Sequence, residues 1–427
     1  MKRLLVLSHG HPTYSKGGGE HAAYALHQAI GALQGWQSLF VAAAPDNKQF
    51  SPDQLHIPEE DPSACLVAPT TDWLLFESVI PLGNASPLKR LVLEWSPDVV
   101  HVHHFHRLGL DLVLALRHWC PDARLVFTLH EFLMLCPFQG QLLTPQGDLC
   151  RGPSPEGCGH CLPLQDSTDL ELRDGLMRAL VRAVDVFVAP SQCLADLFQT
   201  WAGDCCLVRV IPNCPPPLHL IDSPGVALTD GELPCRFGFF GNPAAISKGL
   251  DLVLEAFREV CAVIPHASLL IGGALPRPAE ARSALEQSYL QRCWELVDEL
   301  GASIHLVGAY AQSEVTSLMG SVHWVVMGSR WLENAPVVIE EAKLCRRPLL
   351  VPGHGGMAEL VTNGRDGLTF PPGNAVDMAQ KMIDCCRNPV GWQHLVENMS
   401  LPVDHRDVVE SHLSLYEMSV GLKFEFE

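Results

Sequence analysis

Two successive α/β domains, each built on a doubly wound parallel sheet, are what this 427-residue sequence predicts. A chain of this length exceeds the size at which one hydrophobic core keeps growing, which sets two domains of roughly 200 residues as the prior. Short apolar runs alternate with longer amphipathic segments, the signature of parallel βαβ units. The alternation breaks once, over NCPPPLHLIDSPGVALTDGELPC at 213–235, where proline, glycine and small polar residues dominate, and then resumes.

Taken in order, RLLVLSH reads as a first strand. Its apolar run is interrupted by Ser8, His9 and Gly10, too early for the core of a secretion signal. GEHAAYALHQAIGAL follows as a helix and QSLFVAAA as a strand; later come VVHVHH, LDLVLALRHW and RLVFTLHE as strand, helix and strand. After the break, CRFGFFGN, ASLLIGG, SIHLVGAY, VHWVVMGS and RPLLVPG read as strands, with KGLDLVLEAFREVCAVI and PVVIEEAKLC as helices. DMAQKMIDCC and HRDVVESHLSLYEMS are helix-like. The expected organisation is a first domain at 1–212, a linker at 213–232, a second domain at 233–390 and a C-terminal helical segment at 391–427 that packs back on the first. In such sheets ligands bind beyond the carboxyl ends of the strands, and two such edges facing each other would form a cleft.

A formal net charge of -19 disfavours non-specific attraction to a polyanion, so nucleic acid is set aside as a partner. No run of about 18 uncharged apolar residues appears, so a membrane-spanning helix is not expected. Most of the 16 cysteines sit singly in apolar segments, as Cys261, Cys293 and Cys345 do, and read as small buried hydrophobes.

Three short stretches carry chemistry. In SKGGGEH, Gly17, Gly18 and Gly19 lie between a strand and a helix. There backbone amides can approach a phosphate or a sugar, although an ordinary strand-to-helix turn uses glycines too. In FGFFGNPAAISKGLDLVLEAF, Lys248 stands just before a helix and could supply positive charge to a diphosphate, or be a solvated surface lysine.

In SRWLENAPVVIEEAKLC, Pro336 suits the first position of a helix, placing Glu333 just before it and Glu341 about two turns in. The amides around Asn334 and Ala335 would then point out of the helix start toward a phosphate. Ionised carboxylates make charge-assisted bonds to sugar hydroxyls, so the two acids suit the groups on either side of a diphosphate. Two solvent-facing glutamates on an amphipathic helix are the plainer alternative.

The combination of SKGGGEH, TLHEFLMLCP, VAPSQCLADLF, IPNC, FGFFGN with SKGLDLVLEAF, and SRWLENAPVVIEEA with GHGGMAELVTNGRDGLTFPPGN resembles the retaining glycosyltransferases of family 4. The resemblance runs from about Lys2 to Asp377. It implies the GT-B fold, two Rossmann-like domains facing a central cleft, and transfer of a sugar from a UDP- or GDP-sugar to a glycan, lipid-linked or small-molecule acceptor with retention at the anomeric carbon.

Glu333 and Glu341 match the two acids of the family's E-x7-E motif, which contact the transferred sugar and the ribose respectively. Lys248 matches the donor-phosphate lysine, Gly17 to Gly19 the glycine-rich loop, and His130 the active-site histidine. His130 would otherwise be an inconsequential strand-end residue, while His101, His103, His104 and His106 are assigned only to the neighbourhood of the cleft.

The resemblance also implies a cytoplasmic enzyme of cell-envelope glycan synthesis, with peripheral contact at the inner face of the membrane. Asn242 stands where the family has an arginine, which removes one positive charge from the phosphate site and leaves Lys248, the helix amides and Arg330. No D-x-D motif stands near the donor site, so no catalytic divalent metal is expected. The rival readings are a sugar-nucleotide epimerase with the same donor site and a non-catalytic sugar-nucleotide-binding protein.

Cys136, Cys150, Cys158 and Cys161 lie in a Gly- and Pro-rich loop over 136–161. A structural zinc ion, reduced thiols and an iron–sulfur cluster are the three readings of this group.

Overall fold

In the computed structural model, residues 1–418 are described apart from 16, 47–49, 151, 216–227 and 229–230. The chain divides into two compact units, one drawn from Met1–Gly140, Gly152–Leu218 and Val403–Glu427, the other from Gln141–Arg151 and His219–Pro402. Most of the linker expected at 213–232 falls outside the described residues.

The first unit holds strands β1 (Lys2–Ser8), β2 (Trp36–Ala43), β3 (Ala64–Val67), β4 (Val99–Val102), β5 (Arg124–Thr128), β6 (Val186–Ala189) and β7 (Val208–Val210). They form one sheet in the order β3-β2-β1-β4-β5-β6-β7. The second unit holds β8 (Arg236–Phe240), β9 (Ser268–Gly272), β10 (Ile304–Gly308), β11 (Trp324–Val326), β12 (Leu349–Pro352) and β13 (Gly367–Phe370), ordered β10-β9-β8-β11-β12-β13. The pairings are parallel in both, for instance Val6 opposite His101 and Val325 opposite Gly238. In each sheet the winding direction reverses beside the unit's first strand, between β1 and β4 and between β8 and β11. Such a reversal leaves a crevice at the carboxyl ends of those two strands.

Both faces of the second sheet are buried. Phe237, Phe239, Trp324 and Val326 pack with Val253 and Phe257 of the helix Leu250–Val263. Phe240, Val325 and Val351 point the other way, toward Ile339 and Ala342 of the helix Val337–Leu344. The period-two alternation of a strand therefore appears as two apolar faces rather than one, the hallmark of a covered parallel sheet.

The boundary drawn at 391 differs from the structure. The helix Pro389–Asn398 belongs to the second unit, where Trp392 is buried in the core and its indole N–H donates to the His323 carbonyl at 2.9 Å. Only the helix His405–Glu417 joins the first unit, inserting Val408, Leu415 and Tyr416 among Leu4, Leu26 and Phe40. Asp404 caps this last helix by accepting from the Arg406 amide at 2.8 Å.

Candidate functional site

In the second unit, the loops leaving β8 and β11 touch because both carry glycine where they meet. Gly249 has φ +65°, and a Cβ on it would overlap the Gly328 carbonyl oxygen; a Cβ on Gly328 would in turn overlap that of Gly249. This approach lets the Arg330 amide donate to the Ser247 carbonyl at 2.8 Å. It also delivers Lys248 to Glu333, whose Oε1 accepts from Lys248 Nζ at 2.6 Å and from Ser329 Oγ at 2.7 Å. Glu333 is buried, with only 4% of its side chain exposed, whereas Lys248 retains 31%. The Trp331 ring lies 5.4 Å from the ammonium, a cation–π contact that holds the lysine on a second side.

Pro336 takes the capping position and the helix begins at Val337, one residue later than the sequence suggests. Asn334 is buried, and the loop from Leu332 to Asn334 is gripped from behind by Gly355 and Gly356. The Gly356 amide donates to the Glu333 carbonyl at 2.6 Å, and His354 Nε2 lies 3.2 Å from the Ser329 carbonyl. A Cβ on Gly356 would overlap the Asn334 carbonyl oxygen, backbone against backbone, so relief requires moving the loop that carries Glu333. Gly356→Ala is therefore expected to lower the melting temperature by several degrees, and thermal denaturation beside wild type checks it. An unchanged melting point would show that the loop has slack.

Glu341 sits apart from this cluster. It accepts from Gln312 Nε2 at 2.7 Å, near Tyr310, and burial raises its pKa above the usual carboxylate range. Asn242 turns onto its own loop, accepting from the Ala244 amide at 3.1 Å. Arg330 corrects one expectation. Its guanidinium is committed to Asp251 through bonds of 2.8 and 2.7 Å and to the Ile246 carbonyl at 3.0 Å, so it braces the Lys248 loop from inside. Among the expected site residues, Lys248 is thus the cation that meets Glu333.

In the first unit, Gly17 precedes the helix Gly18–Gly31, and the His130 ring rests on its first turn; a Cβ on Gly19 would lie 3.3 Å from His130 Cγ. Glu20 folds back over Gly17, where its carboxylate accepts from Ser15 Oγ and meets His9 Nε2 at 3.1 Å. Burial opposes ionisation there, but His9 and Ser15 prevail and hold Glu20 down to about 2. The glycine turn thus already carries a carboxylate at its helix start, which the sequence reading left without a role.

Of the four histidines of HVHHFH, His103 lies against His130. His103 Nδ1 is 3.0 Å from His130 Nε2, and His104 Nε2 is 3.1 Å from Glu131 Oε1. His101 lies between Tyr416 and Thr128, at 2.6 and 2.7 Å. A narrow cavity behind this row is lined by His103, His104, Thr128, His130 and Glu131 among others. Burial depresses the basicity of the row, holding His106 and His130 down to about 4.

Among the described residues, no three His, Cys, Asp or Glu side chains come together as a metal site. Cys158 and Cys161 are one turn apart on the short helix Pro155–Cys161, the Cys136 thiol donates to the Phe138 carbonyl at 3.3 Å, and Cys150 belongs to the segment that groups with the second unit.

Sequence alone left out Ser329, Trp331, His354, Gln312 and Glu20. Ser329 and Trp331 lie within a quoted motif and Gln312 just after a quoted strand, but a single serine, tryptophan or glutamine carries no periodic signal. The turns that bring them inward are set by glycine contacts.

Comparison with known proteins follows the same division. The model for Glycosyltransferase Family 4 matches residues 16–215 and that for Glycosyl transferases group 1 matches 234–388. An uncharacterized glycosyltransferase of Methanocaldococcus jannaschii is 27% identical over 164 residues, 38% of this chain and 42% of the relative. An N,N'-diacetylbacillosaminyl-diphospho-undecaprenol alpha-1,3-N-acetylgalactosaminyltransferase of Campylobacter jejuni is 27% identical over 118 residues, 27% of this chain and 31% of that one. Each match spans under half the length of the curated relative.

Anabaena HepE, solved with UDP and glucose, superposes with a TM-score of 0.64 at 17% identity, covering 97% of this chain and 99% of HepE. A glycosyltransferase of Rickettsia africae gives 0.62 at 15% identity, covering 97% and 98%. The fold is that of these GT-B enzymes, and with one family model on each unit the chain belongs to the group 1, family 4 glycosyltransferases.

Proposed function

We propose that the chain transfers a hexose from a nucleotide-sugar donor to a hydroxyl of a glycan or lipid-linked acceptor, with retention of anomeric configuration. The observation that carries this reading is the Lys248–Glu333–Ser329 cluster beyond the carboxyl ends of β8 and β11, with Glu341 and Gln312 set apart from it.

An ammonium has three N–H donors. Lys248 can therefore keep its bond to Glu333 while turning another toward a diphosphate oxygen, so Glu333 positions the lysine without consuming it. Both bonds to Glu333 fall on Oε1, which leaves Oε2 for a sugar hydroxyl. Glu341 would take the ribose hydroxyls. When the bond from the anomeric carbon to the diphosphate breaks, Lys248 and the amides near Asn334 and Ala335 meet the charge that develops on the leaving oxygen. The departing phosphate would accept the acceptor's proton as that hydroxyl attacks from the same face.

UDP is favoured as the donor's nucleotide because HepE was solved with UDP-glucose. A lipid-linked acceptor is suggested by the undecaprenol diphosphate in the Campylobacter relative's name. Among the described residues no helix is long and apolar enough to cross a membrane, so contact with such an acceptor would be peripheral. Gly17 to Gly19 and His130, on the first unit, would serve the acceptor side.

The test is product analysis with a panel of UDP- and GDP-sugars, with and without acceptor, the anomeric coupling of any product read by NMR. Transfer with the donor's own configuration is expected. Inverted product, a new free sugar nucleotide, or no turnover with any pair each overturns the reading. Glu341→Gln is expected to raise the donor dissociation constant about tenfold, the order of one hydrogen bond to a charged acceptor. Calorimetric titration measures it, and unaltered affinity would return Glu341 to the status of a helix-surface acid.

A further inference from the structure

We infer that His103 is a positioning residue that fixes His130 as the tautomer bearing hydrogen on Nδ1, so that His130 meets its ligand as a hydrogen-bond donor and not as a base. The inference rests on the assignment of His130 to the transfer reaction and on three facts about the histidine row.

His103 Nδ1 and His130 Nε2 face each other at 3.0 Å with the rings stacked, their planes 24° apart. One hydrogen lies between them, on one nitrogen or the other. His103 is buried, and its second nitrogen, Nε2, is enclosed with no hydrogen-bond partner among the described residues. Burial pushes the basicity of His103 well below the ordinary histidine range and that of His130 down to about 4, so both rings are neutral near pH 7.

A neutral imidazole carries hydrogen on one nitrogen only. If His130 Nε2 donated to His103 Nδ1, the hydrogen of His103 would sit on the enclosed Nε2, a buried N–H with nothing to accept it. If instead His103 Nδ1–H donates to His130 Nε2, the enclosed atom is a bare lone pair. Orphaned N–H groups are the rarer and costlier defect, whereas an unsatisfied acceptor is tolerated more often. The second arrangement therefore holds, and it obliges His130 to carry its own hydrogen on Nδ1.

Neighbouring contacts keep the pair in place. The His103 amide donates to the Leu7 carbonyl at 2.8 Å, locking its backbone to β1, and the His101 ring lies 4.3 Å beneath it. A donor at His130 Nδ1 suits a hydroxyl or phosphate oxygen. It cannot take the proton of an attacking acceptor, which assigns that task to the leaving phosphate.

The experiment uses full-length protein labelled with ¹⁵N-histidine, with the His130 signals assigned by their loss in His130→Gln. At pH 7.5, Nδ1 of His130 is expected to show the shift of a protonated nitrogen and Nε2 that of an unprotonated one. His103→Leu is expected to abolish that preference and lower kcat about ten- to hundredfold, with donor KM little changed. His103→Asn, whose side-chain amide donates where Nδ1–H did, is expected to restore the tautomer and most of the lost turnover.

An unprotonated Nδ1 on His130 in wild type would overturn the inference. So would His103→Leu with wild-type kcat and unmoved His130 signals. If His130→Ala itself turns over like wild type, the reading of His130 as a site residue fails instead, and the NMR result judges the tautomer separately.

Discussion

Replacing Lys248 with alanine is expected to lower turnover by about two to three orders of magnitude at saturating donor, the effect of removing one preorganised donor from a developing oxyanion. The lysine is held by Glu333 Oε1 at 2.6 Å and lies over Trp331, so under the proposed function it would meet the leaving group without first being recruited from solvent. Asn242 makes the dependence sharper. It turns onto the Ala244 amide, and Arg330 is turned to Asp251, so Lys248 is the cation among the expected site residues that stands beside Glu333.

The same substitution strands a buried carboxylate. Breaking one side of a buried pair is costly, though the one-third exposure of Lys248 places the loss toward the lower end. A fall of a few degrees in melting temperature should accompany the loss of activity. Glu333→Gln in the Lys248→Ala background should recover the stability and none of the turnover. Steady-state kinetics and thermal denaturation decide the matter. Lys248→Ala within threefold of wild-type kcat would remove the lysine from the chemistry.

Acidification from pH 7.5 to 5.5 is expected to lower the melting temperature by more than about 10 °C, with several protons taken up on unfolding. Burial holds His27, His106, His130 and His412 down to about 4, and His101, His103 and His104 well below the ordinary value. In the unfolded chain each titrates near 6.5. Between pH 6.5 and 4 the unfolded state therefore binds more protons, and stability falls as pH falls through that window.

Each such proton steepens the slope by about 1.4 kcal/mol per pH unit. Glu131 acts in the opposite sense. Desolvation raises it to about 8, against the Leu133 amide and the Arg173 guanidinium, so it gains a proton on folding and offsets one histidine. The Glu20 carboxylate adds to the acid loss only below its unfolded value near 4.5. Melting temperature against pH, with proton uptake from unfolding in two buffers of different ionisation enthalpy, tests the claim. A flat profile between 7.5 and 5.5 would mean that the row is charged or open to water in the folded protein.

The sequence by itself determined the two doubly wound sheets, because strand and helix periodicities are local and each apolar run declares its own element. It also set Gly17 to Gly19 and Lys248 in glycine turns after apolar runs, His130 at a strand end, and Glu333 and Glu341 before and on one helix. Only the tertiary structure decided what those residues touch.

Glu333 and Lys248 are 85 positions apart and meet because Gly249 and Gly328 let two loops close on each other. Arg330 reads as a cation for the phosphate until packing turns it onto Asp251. Of the cysteines of 136–161, Cys158 and Cys161 come one turn apart because the segment Pro155–Cys161 coils into a short helix. His101 of HVHHFH is held by the Tyr416 hydroxyl, 315 positions away. A strand or helix follows from the chain's local period, whereas a partner depends on loop closure between distant segments, and no local pattern encodes that.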